Sequence, residues 1–271
     1  MTPAPAVPTG VSCLVVTRPG RLDRLEDAVR CFAAQTHPSC ELVVVHDGGR
    51  DFDADVRSMT GSLAPGSAVS VHRSRRRPLG SLRNVSVEVA GGDVVCQWDD
   101  DDLHHPRRVE VQLAHLVTGG DTGGEAAACL LTDQLHLFEA DGELCWDDWT
   151  VERFPHSLIP GTLLAGRGAL PRYPRRRRGE DTPVVTRIVG DGKRVRGLQD
   201  HGWLYVYVQH GTNAWDATHH RAISAWKHRG SRIGAGELAL LAEELSSYPV
   251  AARRVVMAVG AERIELTIGA G

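Results

Sequence analysis

The chain has 271 residues, 42% of them apolar but only 5% aromatic, and a net charge of −3 with histidine neutral. That length and apolar content fit one large α/β domain or two small ones, with a core of valine, leucine and alanine. The charge argues against a protein that coats nucleic acid, and no apolar run approaches the ~20 residues of a membrane span.

The six cysteines, Cys13, Cys31, Cys40, Cys96, Cys129 and Cys145, form no CxxC pair and no zinc spacing. They read as reduced core residues of a cytosolic protein. The start, MTPAPAVPTG, has neither a basic leader nor an apolar h-region, so it is not read as a signal peptide. Residues 1–10 are Pro-rich and expected to be disordered.

Residues 11–16 (VSCLVV) form a continuous apolar run of the buried parallel-strand type. The turn Thr17-Arg18-Pro19-Gly20 ends it. Over residues 22–34 the apolar positions Leu22, Leu25, Ala28, Val29 and Phe32 keep a helical period. Residues 41–45 (ELVVV) are a second buried strand, closed by His46-Asp47-Gly48-Gly49. This is a β-α-β unit, which predicts a mostly parallel sheet. Residues 50–68 read as a weak helix and a loop, and 68–72 as a short strand. Over 81–90 a helix is expected with Leu82, Val85 and Val89 on one face. Its early residues Arg83 and Asn84 sit where backbone N–H groups favour anions.

Residues 94–108 read VVCQWDDDDLHHPRR, and the chain is organised around them. A short buried run leads into Trp98 and then Asp99, Asp100, Asp101 and Asp102 without a break. Adjacent carboxylates repel one another, and aspartate weakens strand and helix interiors alike. A divalent cation relieves that repulsion. Mg²⁺ binds through one or two carboxylates plus substrate phosphates. The cluster therefore reads as a metal-diphosphate site at the C-terminal end of a strand, where open α/β sheets bind ligands.

Behind it, 106–117 is expected to be a helix with Val109, Leu113 and Leu116 inward, and 118–124 a Gly-rich turn. Residues 126–131 and 134–138 read as strands, Asp141-Gly142 as a hairpin turn, and 158–164 (LIPGTLL) as a strand approaching the site. A basic loop, LPRYPRRRRG at 170–179, precedes Glu180-Asp181. Residues 184–189 are expected to be helical and 204–208 (LYVYV) a strand. That strand runs into the segment QHGTNAW at 209–215, and the pair His219-His220 closes the loop. An amphipathic helix over 237–245 and a terminal strand over 263–268 complete a single domain. Its nucleotide-binding half is expected at about 11–117, its acceptor-side half at about 118–235 and its C-terminal helix and strand at about 236–271.

This ordered set resembles the family 2 glycosyltransferases of GT-A fold. The opening VVTRPGRLDRLEDAVRCFAAQTHPSCELVVVHDGG looks like that family's nucleotide-binding half. LRNVSVEVAGGDVVCQWDDDD looks like its arginine-asparagine helix and DxD segment. The Gly179-Glu180-Asp181 triplet matches its Glu-Asp segment, and YVQHGTNAW resembles its late histidine strand and loop. The likeness covers roughly residues 10–220. It implies a Rossmann-like, mostly parallel central sheet flanked by helices. It also implies an inverting transfer of a sugar, UDP-linked by preference, from a nucleotide diphosphate to an acceptor hydroxyl, with Mn²⁺ or Mg²⁺ as cofactor.

On the same resemblance, Asp99 and Asp101 form the DxD. Asp99 or Asp100 faces the ribose, Asp101 and Asp99 the metal, and His210 reaches the metal or diphosphate. Asp102 either contacts the donor sugar or caps the following helix. Thr17, Arg18, Asp47, Arg83 and Asn84 are placed as nucleotide-sugar contacts, Asp181 as general base and Glu180 as its neighbour orienting the loop or the acceptor. His104 and His105 read as surface or supporting residues, and Arg175–Arg178 as a solvated face or a lid over an anion. Of Trp146, Trp149, Trp203 and Trp215, Trp149 is the first choice to stack on a sugar.

Within enzymes the competing reading is a nucleotidyltransferase, but TRPGRLDR is a poor version of its phosphate loop. A non-catalytic nucleotide- or carbohydrate-binding protein is the other alternative. The acceptor, whether small molecule, glycan or peptide, is not legible. A homodimer is left open, and the Ala, Arg, Gly and Val-rich composition hints at a bacterial source.

Overall fold

The structure, a computed structural model, describes residues 10–118 and 126–269. Apart from Gly10 and Thr118, the Pro-rich start and the Gly-rich turn lie outside the described residues. In chain order the first half holds β1 (Val11–Thr17), α1 (Leu22–Ala33), β2 (Cys40–His46), α2 (Arg50–Leu63), β3 (Ala68–Arg73) and α3 (Leu79–Val89). There follow β4 (Val94–Gln97), β5 (Leu103–His104), α4 (Arg108–Thr118), β6 (Ala128–Leu131), β7 (Asp133–Phe138) and β8 (Glu143–Asp148). The rest is β9 (Leu164–Gly166), α5 (Thr182–Gly190), β10 (Val195–Leu198), β11 (Tyr205–Gln209), α6 (Ala217–Lys227), α7 (Ala235–Ser246), β12 (Arg253–Val259) and β13 (Glu262–Ile268).

The larger sheet has the order β10-β6-β9-β4-β1-β2-β3. Its β4-β1-β2-β3 half is parallel, and β9 runs antiparallel between β4 and β6. The central strands are apolar on both faces because helices cover both. Leu42 through Val45 in β2 are wholly buried, without the alternation of a half-exposed strand. The register pairs Thr17 with His46 and Leu14 with Gln97. The ends of β1, β2 and β4 therefore come out side by side.

A second, mixed sheet has the order β13-β12-β8-β7-β11-β5. One hydrophobic core spans both sheets. It holds Val15, Leu42 and Cys96 of the first with Leu135, Leu144, Val206 and Met257 of the second, so the two sheets make one domain. Trp98 anchors this core. It is fully buried, packs edge-on to Phe32 and donates its indole N–H to the Ala28 carbonyl at 3.1 Å. Burial of a side chain that size stabilises by roughly 1.5–3 kcal/mol.

The α/β architecture and the parallel half agree with the sequence. The strand expected over 158–164 does not form, and only Leu164 enters β9. Pro160, which lacks an N–H, and Gly161 turn the chain through a short 3-10 helix at Pro160–Thr162 instead. His219 and His220 lie inside α6, whose N-terminus Asp216 caps by accepting from the His219 N–H at 2.8 Å. Val89 of α3 is exposed, while the polar Arg83 and Asn84 of that helix are buried. No helix among the described residues is long and apolar enough to cross a membrane.

Candidate active site

The ends of β1, β2 and β4 open into a cleft of about 1210 Å³, walled on its far side by β7, β11 and α6. The four aspartates leave β4 at its floor, and no two of them have the same set of partners. Asp99 accepts from Arg83 at 2.6 Å and from the Gln97 amide at 3.2 Å. Arg21 Nη1 donates to both Asp100 at 2.8 Å and Asp101 at 2.7 Å. The His210 ring also meets Asp101, at 3.1 Å. Asp102 is buried and accepts from the Tyr205 hydroxyl and from the Val208 N–H at 2.9 Å.

These partners separate the carboxyls electrostatically. Burial, then the charge of Asp101, pushes Asp100 up to about 7 against the pull of Arg21. Burial also pushes Asp101 up. The hydrogen bond from His210 and the charge of Arg21 outweigh it and hold Asp101 below the usual carboxylate value. Burial, with Asp101 and Asp99 beside it, drives Asp102 well above that value. Asp102 is thus not a helix cap, since α4 begins only at Arg108. It ties the aspartate turn to β11.

Arg83 links this floor to the loop before α5. Its Nε donates to Glu180 at 2.7 Å while its Nη2 holds Asp99. Gly179 precedes them at φ +61°, a backbone that L side chains rarely adopt. At Gly80, an added Cβ would run into the Pro174 carbonyl oxygen, so α3 and the basic loop touch through backbone. Asp181 begins α5, accepting from the Thr182 N–H at 2.7 Å. It lines the cleft, and burial with Glu180 alongside raises its carboxyl.

Thr17, Arg18 and Asp47 also line the cleft, Arg18 at its exposed rim. Asn84 does not. Its amide donates to the Tyr173 carbonyl at 2.8 Å and accepts from the Tyr173 N–H at 2.9 Å. The expected nucleotide contact is instead a clamp on the basic loop, because both ends of its side chain are used. His104 and His105 are buried rather than on the surface. His104 stacks on Trp98 at 3.9 Å and neighbours the buried Arg108, which donates to the carbonyls of Gln97 and Gly161. Arg177 and Arg178 line the cleft mouth, with Arg178 over the Trp215 ring at 4.5 Å. Trp149 also lines the cleft, whereas Trp146 and Trp203 are core.

Among the described residues, no three His, Cys, Asp or Glu side chains are grouped to hold a metal. Asp101 and His210 come together, while Asp99 is turned to Arg83. The donor chemistry nevertheless suits a hard cation completed by phosphates. Carboxylate oxygens dominate, and Asp100 Oδ2 is buried without a partner. Arg21, Arg108, Tyr205, Gln134 and His136 were not singled out in the sequence. An arginine after a Pro-Gly turn and a polar residue in an apolar strand carry no signal of their own.

Residues 12–127 match the model of "Glycosyl transferase family 2". An uncharacterized glycosyltransferase of Rickettsia typhi is 26% identical over 148 residues, 52% of this chain and 45% of that protein. One of Nostoc is 30% identical over 86 residues, 32% of this chain and 26% of that protein. The chain spans less than half the length of these curated relatives. Among solved structures, Staphylococcus aureus TarS 1-349 aligns at TM-score 0.56 and 15% identity, over 88% of this chain and 80% of that one. A mannosyltransferase from Pyrobaculum calidifontis, solved with GDP-Man and Mn²⁺, aligns at TM-score 0.56 and 17% identity, over 91% and 73%. The fold these chains share is GT-A.

Proposed function

We propose that this chain, whose residues 12–127 match the model of glycosyl transferase family 2, is an inverting glycosyltransferase that takes its sugar from a nucleotide-diphosphate donor. The observation that carries the reading is the Arg83 bridge. One guanidinium joins Asp99, on the floor, to Glu180, beside Asp181. The donor-side carboxylates and the candidate base thereby share one cleft.

Thr17, Asp47 and Asp99 receive the nucleoside, and Arg177 and Arg178 lie at the mouth, where an anionic diphosphate enters. Asp101, with His210 or Asp99, would hold a divalent cation, Mn²⁺ or Mg²⁺, which would supply charge neutralisation for the leaving diphosphate. Asp181 takes the acceptor hydroxyl's proton as its oxygen attacks the anomeric carbon. Its carboxyl, raised by burial and by Glu180, is a stronger base than a solvated aspartate. Attack from the face opposite the leaving group inverts the anomeric centre. Glu180, held by Arg83, positions the loop. TarS has been solved with UDP-GlcNAc and the mannosyltransferase with GDP-Man, so both bases are donors to try, UDP first.

Calorimetry of UDP, GDP and dTDP, each with and without Mn²⁺, tests this reading. One nucleotide should bind with Mn²⁺ dependence, and the binding should be lost in Asp101→Ala. No binding of any of the three, with or without metal, would overturn it.

A further inference from the structure

We propose that the face of β7 carrying Gln134 and His136, together with the indole of Trp149, is a carbohydrate-binding subsite that holds the acceptor. The proposal rests on the glycosyltransferase reading and names the acceptor's chemical class. Gln134 and His136 are two residues apart on one strand, so they share a face, roughly 7 Å apart at strand spacing. That is about the breadth of one hexopyranose. Both line the cleft, yet they are only 4% and 1% exposed. They belong to the second sheet, across the cleft from the strand ends that carry Thr17, Asp47 and Asp99.

Three atoms of this wall are buried without a partner: Gln134 Oε1, His136 Nε2 and Trp149 Nε1. Leaving such a group unpaired costs about 1–3 kcal/mol, which a ligand that pairs it recovers. Their polarity is set by what lies behind them. Asp147, wholly buried, accepts from the Ser224 hydroxyl at 2.7 and 2.9 Å and meets His136 Nδ1 at 3.0 Å. A carboxylate only accepts, so Nδ1 donates to it, and with that tautomer of an uncharged imidazole Nε2 is an acceptor. The wall thus offers two acceptors and, in the indole N–H, one donor. Vicinal hydroxyls, which both give and take hydrogen bonds, match that set. Tyr207 and His220 complete the wall but pair with each other at 3.1 Å. Space also allows a second ligand, since the cleft of about 1210 Å³ exceeds the roughly 300–1,000 Å³ of a single-ligand pocket.

The test is saturation-transfer NMR on the full chain with UDP and Mn²⁺ present. The probes are the methyl glycosides of glucose, N-acetylglucosamine, galactose and mannose, with nucleotide affinity measured in parallel. At least one glycoside should bind saturably. Its affinity should fall about tenfold for each hydrogen bond removed, in Gln134→Leu, His136→Phe and Trp149→Phe, while nucleotide affinity stays at the parent value. Should His136→Phe fail to fold, the other two variants decide. Nucleotide binding with all four glycosides silent, or glycoside binding unmoved by the variants, would overturn the subsite and leave the donor reading standing. Glycoside binding that the variants weaken, with no nucleotide bound, would support the wall and sink the donor reading.

Discussion

Asp181→Asn separates the charge of the candidate base from its structural work. Asparagine caps a helix about as well as aspartate, whereas alanine gives up about 1 kcal/mol of capping. The hydrogen bond from the Thr182 N–H can therefore survive the change. What disappears is a carboxylate able to take a proton, a contribution worth about 10²–10⁴-fold in rate. Nucleotide affinity, set on the opposite floor by Thr17, Asp47 and the aspartates, should not move. The structure also fixes the sign of two pH effects. Burial and Glu180 raise the Asp181 carboxyl, so the acidic limb of kcat should lie above the ordinary carboxylate value of about 4, and the base should work only above that limb. Stability runs the other way. A carboxyl whose folded pKa is raised binds its proton more tightly in the native state, so its contribution falls as pH rises from the unfolded value through the folded one. Asp181→Asn should abolish that fall and leave the thermal midpoint at neutral pH equal or higher. Transfer to a working acceptor, nucleotide titration and thermal melts at several pH values read all three. Transfer at the parent rate would refute Asp181 as base. Loss of nucleotide binding together with transfer would show that its role is structural.

Arg21→Gln should tighten Mn²⁺ binding by up to roughly a thousandfold, because a like charge at ~4 Å costs roughly 4 kcal/mol at an effective dielectric of 20, each 1.4 kcal/mol being about tenfold, and Arg21 now bridges Asp100 and Asp101. An unchanged Mn²⁺ electron paramagnetic resonance titration would refute that competition. Gly80→Ala lies in a helix, where alanine is ordinarily better by about 1 kcal/mol. Here its Cβ meets the Pro174 carbonyl, so a loss of about 1–3 kcal/mol is expected, and a raised urea midpoint would refute the backbone contact. Tyr205→Phe removes the hydroxyl that bonds the buried Asp102 and should cost about 1–3 kcal/mol. A melting temperature equal to the parent's would show that bond to be dispensable.

How much of this was legible in the sequence follows from which interactions are local. The strands of the parallel half are continuous apolar runs, and their helices repeat with a single period, so β1, α1, β2 and the strand before Asp99 could be read directly. The aspartate cluster stands out because four adjacent carboxylates have no local use, whereas Asp181 has one, as the cap of α5, and is marked only by the Glu-Asp triplet of the family resemblance. In the second sheet the strands β7, β11 and β13 could be read singly, but the burial of its polar members could not. Gln134, His136 and Asp147 are buried by pairings across the β7-β8 hairpin and with Ser224 on α6, which is 88 and 77 positions from His136 and Asp147. The Asn84 clamp is hidden for the same reason, since its two partners are the backbone of a residue 89 positions away. Arg21 follows this logic at the centre of the cleft. It is 79 and 80 positions from the carboxylates it bridges, so the cation beside Asp100 and Asp101 becomes visible only when β1 and β4 lie side by side. The sequence therefore announces where charge is concentrated, while the partners that set each carboxyl's protonation come from the fold.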